Sequence, residues 1–154
     1  MYNKKLWVQK IMPLKRSRSD HYFSQCVRER TNYTCEVCHK QYDRSSMGLH
    51  CSHFFGRANK SVRWHTDNAF AHCYGCHVRM GSNPHDFTHW VQITLGQGRY
   101  DLLVERKNDL NLAKQLVKDD KAGHIAKHYN QQIKALRAAR EDGETSRIEF
   151  EDYV

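Results

Sequence analysis

Long apolar runs are missing from this chain. No stretch of its 154 residues approaches the roughly 20 consecutive apolar positions of a membrane-crossing helix, so no membrane contact is expected. Export is not expected either, because the basic start Met1-Tyr2-Asn3-Lys4-Lys5-Leu6-Trp7 leads into neither an apolar stretch nor a small-residue cleavage site. A cytoplasmic location follows as the expectation. Proline is scarce at two and glycine at eight, and no repeat is visible, which excludes collagen-like, mucin-like and heptad architectures. Acidic residues are absent from the first eighteen positions, where Lys4, Lys5, Lys10, Lys15, Arg16 and Arg18 stand alone.

Present instead are basic charge, cysteine and histidine. The net charge of +8 conceals a gradient: residues 141–154 hold six acids against Arg147, a net −5, leaving +13 on residues 1–140. Such a body suits a polyanionic partner. The length predicts one domain with extensions. We divide it into a basic arm over 1–18, a core over 19–97, a helical part over 98–140 and an acidic tail over 141–154, which is expected to be mobile.

Hydrophobic spacing places the elements. Ser19-Asp20 reads as a helix start, with Tyr22, Phe23, Cys26 and Val27 as the apolar edge of a helix over 20–31. Residues 48–55 have strand composition, and Val62-Arg63-Trp64 supplies a second strand across a basic loop at 56–60, a β-hairpin. A helix carries His77 and ends at Gly81. Asn83-Pro84 opens another, with Phe87, Trp90, Val91 and Leu95 on one face before Gly96. Shorter helices follow after Gly98 and around Leu112–Val117, and a last one over 122–140 aligns Ile125, Tyr129, Ile133 and Leu136. The fold class is α+β, mostly helical.

Cys35-x-x-Cys38 and Cys73-x-x-Cys76 are two thiol pairs, each able to supply two corners of a tetrahedral site, and we read them as ligands of one structural Zn²⁺. A reducing compartment argues against disulfides. Cys26 and Cys51 are read as packed residues and His39 as exposed. Between and after the pairs lie His50, His53, His65, His72, His77, His85 and His89. A strand histidine facing a helix histidine is the minimum equipment for metal-assisted hydrolysis.

The order Cys35-x-x-Cys38, Leu49-His50-Cys51-Ser52-His53-Phe54, Asp67-Asn68, Cys73-x-x-Cys76-His77 resembles the zinc-stapled HNH nucleases, built on a ββα-metal core. With Phe55-Gly56-Arg57, Arg63-Trp64 and Pro84-x-x-Phe87-x-x-Trp90 added, the pattern is similar to the phage NinG/Rap recombination endonucleases over about residues 20–140. The resemblance implies a DNA endonuclease acting on branched recombination intermediates. It implies His53 as general base, Asn68 as a brace for the hairpin and the His53 ring, and His77 as ligand of a catalytic Mg²⁺ or Mn²⁺, leaving 5′-phosphate and 3′-hydroxyl ends.

One position departs from the pattern. Many HNH enzymes carry an acid before the base histidine as second metal ligand, and here it is Ser52, a poor anionic ligand, so the ion is expected to rest on His77 with His50, His72, His85 or Ser52 itself as second ligand, or to be held weakly with more water and substrate oxygens. Arg57, Lys60, Arg63 and Arg79 are expected to hold phosphates around the cut, and Trp64 to sit in the core. A homodimer is expected only because resolving a junction needs two active sites. A duplex-cutting nickase of homing, restriction or packaging type and a non-catalytic zinc DNA-binding module are the alternatives.

Overall fold

The computed structural model describes residues 14–154, so most of the basic arm lies outside the described residues. The fold is α+β and mostly helical: α1 (Arg18–Arg30), β1 (Leu49–His53), β2 (Ala69–Cys73), α2 (Tyr74–Ser82), α3 (Pro84–Leu95), α4 (Gln97–Lys107), α5 (Leu110–Lys121) and α6 (His124–Glu141). The helix expected from residue 20 starts earlier because Ser17 is its cap. Ser17 Oγ accepts from the Asp20 amide at 3.3 Å while the Asp20 carboxylate accepts from the Ser17 amide at 2.8 Å, a closed capping box.

The hairpin is real, but its second strand is not Val62-Arg63-Trp64. β1 pairs antiparallel with β2, in a register running from Leu49↔Cys73 to His53↔Ala69. Residues 62–65 instead turn, with the Val62 amide on the Asn59 carbonyl at 3.2 Å and the His65 amide on that of Val62 at 3.1 Å. Their apolar character serves burial, since Val62 and Trp64 enter the core without a strand partner. The true strand, Ala69-Phe70-Ala71-His72-Cys73, is buried throughout, so both of its faces are covered.

Cross-strand partners share a face, which divides the sheet. Leu49, Ala69, Ala71 and Cys73 face the main core, where Phe23, Cys26 and Val27 of α1 meet Ile125, Tyr129, Ile133 and Leu136 of α6. Phe70 lies on the opposite face, against Met80 of α2 and Phe87 and Val91 of α3. The helix opened by Pro84 and closed by Gly96 stands as expected, and α5 is a full twelve residues, capped by Asp109 on the Leu112 amide at 2.9 Å. Because α1, the sheet, α5 and α6 share one cluster of buried side chains, the helical part 98–140 is packed into the 19–97 core.

The expectation of a mobile acidic tail is overturned. Phe150, 7% exposed, inserts edge-on to Phe23 and Tyr129 with ring centroids 6.0 and 6.1 Å away. The Ile148 amide donates to the Arg30 carbonyl at 3.0 Å, and Asp152 accepts from the Thr66 amide at 2.7 Å and its hydroxyl at 2.9 Å. The six acids dominate the charge of this segment, but Ile148, Phe150 and Tyr153 determine where it goes.

Candidate metal centre and basic cleft

Cys35 and Cys38 come from the turn after α1, Cys73 ends β2 and caps α2, and Cys76 lies in the first turn of α2. The four thiols lie within 4.8 Å of one another, all free of disulfides, with Cys38 and Cys73 Sγ 3.7 Å apart. The Cys73 amide donates to Cys35 Sγ at 3.2 Å and the Cys76 amide to Cys73 Sγ at 3.5 Å, the bonds that favour thiolate over thiol. Four soft donors converging on one point suit a structural metal such as zinc. Cys26 stays apart, its thiol pushed up to about 12 by burial, and Cys51 packs against the core. His39 is exposed, in the left-handed region at φ 61° as the knuckle turns.

A cleft of about 710 Å³ follows the outer edge of β1. Among the described residues the sheet has two strands and no strand pairs with that edge, so successive strand residues from both faces, His50, Cys51 and His53, reach the same space. His77 joins them from α2, and Arg16, Arg28, Arg44, Arg57 and Arg137 surround them. Among these arginines only Arg57 was anticipated as a phosphate contact. Arg28 and Arg137 occupy polar faces of α1 and α6, and Arg44 lies in the loop after the first knuckle, so no local motif joins them. The readable signal was the +13 body, without its location.

His53 has its two ring nitrogens in different environments. Nε2 lies 2.9 Å from the Arg63 carbonyl, which can only accept, so Nε2 carries the proton and Nδ1 the lone pair. Burial pushes its pKa down to about 4, against the opposing pull of the Arg63 carbonyl and the Asp20 charge. The ring is therefore neutral at pH 7, a proton acceptor held in one tautomer.

Asn68, fully buried, closes the loop leading to that carbonyl. Its Oδ1 accepts from the Phe55 amide at 2.8 Å, and its Nδ2 donates to the Phe55 and Val62 carbonyls at 2.9 and 3.0 Å. Arg63 is not a phosphate contact: it is 5% exposed, and its guanidinium pairs with Asp20, which also accepts from Trp64 Nε1 at 2.9 Å. Burial alone would raise the Asp20 carboxyl, but the bonds from Arg63, Ser17 and Trp64 hold it below its ordinary range. Trp64 is in the core, as expected.

His77 lies with Nδ1 3.0 Å from Ser52 Oγ, its ring stacked on His50 at 5.3 Å and 13°. His77 thus has a stacked imidazole and a hydroxyl beside it, without a free carboxylate. Of the other second-ligand candidates, His72 is fully buried against Phe70, Phe87 and Trp90, and His85 is exposed on α3; neither lines the cleft. Lys60 is half-buried with its ammonium 3.4 Å from the Arg57 carbonyl, and Arg79 is exposed on α2; both lie outside the cleft lining. Among the described residues, the four cysteines are the only group of three or more His, Cys, Asp or Glu side chains at metal-binding distances. The chain matches no protein-family model, no curated protein and no solved structure.

Proposed function

We propose that the protein is a divalent-metal-dependent DNA endonuclease with His53 as general base. One observation carries this reading: a neutral histidine, with its lone pair assigned to Nδ1, opens on a cleft lined by five arginines. Arginines neutralise the phosphodiester backbone and orient it without reading sequence. His53 Nδ1 takes a proton from the water that attacks phosphorus, while the Arg63 carbonyl holds the ring and Asn68 holds the loop that presents that carbonyl. His77, with His50 or Ser52 beside it, would hold a divalent ion, which would supply charge neutralisation at the leaving 3′ oxygen. The resulting ends are 5′-phosphate and 3′-hydroxyl.

The similarity of the residue pattern to NinG/Rap nucleases extends the proposal to branched recombination intermediates, a phage origin, a host-cytoplasmic site of action and a homodimer placing two active sites on one junction. Ser52 favours a second reading. With a hydroxyl bonded to His77 where a carboxylate would bind an ion, the protein becomes a zinc-stabilised DNA-binding module. Incubating zinc-loaded protein with supercoiled plasmid in Mn²⁺ and in Mg²⁺ separates the two. Nicking by the wild type and its loss in His53→Ala, with affinity for DNA unchanged, supports the endonuclease; binding without nicking in either ion supports the module.

A further inference from the structure

Two exposed apolar side chains beside the cleft are not used by phosphate binding. Met47 lines the cleft and is 91% exposed; Tyr74, at the start of α2, lies outside the lining and is 66% exposed, with its ring 5.9 Å from that of His50, which lines it. An exposed methionine on a floppy loop means little, but this loop is pinned. Arg44 makes two bonds, at 3.1 and 2.8 Å, to the fully buried Glu29, and Asp43 Oδ1 accepts from the Ser45 amide at 2.9 Å. Gly48 passes so close to Tyr42 that a Cβ there would meet its ring at 2.7 Å. The Gly48 carbonyl accepts from the Tyr74 amide at 3.0 Å, tying the loop to α2. From Tyr74 a row of rings runs inward, to His50 at 5.9 Å and on to His77 at 5.3 Å.

Arginines and ring faces side by side match a nucleic acid whose bases are unstacked. The guanidinium groups take phosphates, an aromatic face takes a base whatever its identity, and an apolar side chain carried on a fixed loop can occupy an opened base step. In an intact duplex those base faces are covered by their neighbours. We propose that Met47 and Tyr74 form a stacking rim that engages unpaired nucleotides next to a duplex, so that this chain selects DNA by its single-stranded segment. The inference rests on the DNA-binding part of the function proposed above. It assigns selectivity to two side chains outside the hydrolytic residues.

The test uses the zinc-loaded full chain in Ca²⁺, with a forked duplex carrying 2-aminopurine in its unpaired arm and an intact duplex of equal length. Met47→Ser and Tyr74→Ser change exposed side chains, and circular dichroism confirms that both variants fold. Binding of the wild type is expected to quench the probe, and each variant to weaken fork binding by roughly 5- to 150-fold with duplex binding unchanged. Equal effects on both substrates, or no effect on either, would overturn the stacking rim. Failure of the wild type to bind either substrate overturns the rim together with the DNA-binding reading. The plasmid assay reports on hydrolysis separately, so a protein that discriminates fork from duplex without cutting keeps the rim and loses only the endonuclease.

Discussion

His53→Ala removes the proton acceptor while leaving the five cleft arginines in place, so cleavage should fall by roughly 10²–10⁴-fold with little change in DNA affinity. The pH profile carries a second signature. Because the His53 pKa is lowered from 6.5 to about 4, its neutral form persists well below the usual histidine range. The base-dependent limb of the rate should stay flat from pH 8 down to about 5 and fall only toward 4; single-turnover rates across that range would show an ordinary limb near 6.5 if the ring were solvated. If His77 holds the proposed ion with His50 or Ser52 beside it, its imidazole nitrogen suits a first-row ion better than Mg²⁺. Cleavage titrated with each ion should therefore saturate at lower Mn²⁺ than Mg²⁺ concentration. The order of His53, Asn68 and His77, interleaved with the cysteine pairs, was visible in the sequence, and the structure puts His53 and His77 on the cleft with Asn68 buried behind it. The burial of Arg63 was not, because its partner Asp20 lies 43 residues away on α1 and nothing local to Arg63 signals it.

At the scale of elements, the carboxyl-terminal strap buttresses the site. Tyr129 donates its hydroxyl to the Trp64 carbonyl and accepts from the Tyr153 amide at 3.2 Å, and Asp152 bonds to Thr66, two residues before Asn68. Phe150→Ala should lower stability to denaturant by about 3–5 kcal/mol, the range for a buried phenylalanine in a core that cannot collapse around the loss. An effect below about 0.5 kcal/mol in urea unfolding would mean that the segment is only loosely attached. Helices were the more legible elements, since capping and spacing are local: Pro84 and Gly96 mark the two ends of α3. The hairpin was half legible. Val62-Arg63-Trp64 and Phe70-Ala71-His72 are both short buried runs, and strand pairing is decided by which of them can align with β1, a long-range matter. The strap failed on charge, because acids at exposed positions masked Ile148 and Phe150 between them.

At the scale of the whole molecule, the four-cysteine cluster joins the turn after α1 to the start of α2 where the hairpin enters its helix, and could hold a structural metal there. Loss of the metal would leave four converging thiolates without a centre. Chelation should therefore release one zinc per chain and lower the melting temperature, and Cys35→Ser or Cys76→Ser should do the same without chelator. Unchanged melting after complete metal removal would show that the fold does not need the ion. The basic cleft depends on the same integrity, since its walls come from α1, the loop after the first knuckle, β1, α2 and α6. Composition announced the basic charge of the body, whereas the cleft exists only once those segments are brought together. The most direct measurement is end-labelled cleavage of a four-way junction, a flap and a linear duplex by zinc-loaded protein in Mn²⁺, beside His53→Ala. The account predicts scission that favours the branched substrates and disappears in the variant; cleavage that persists in His53→Ala, or tight binding with no scission of any substrate, would contradict it.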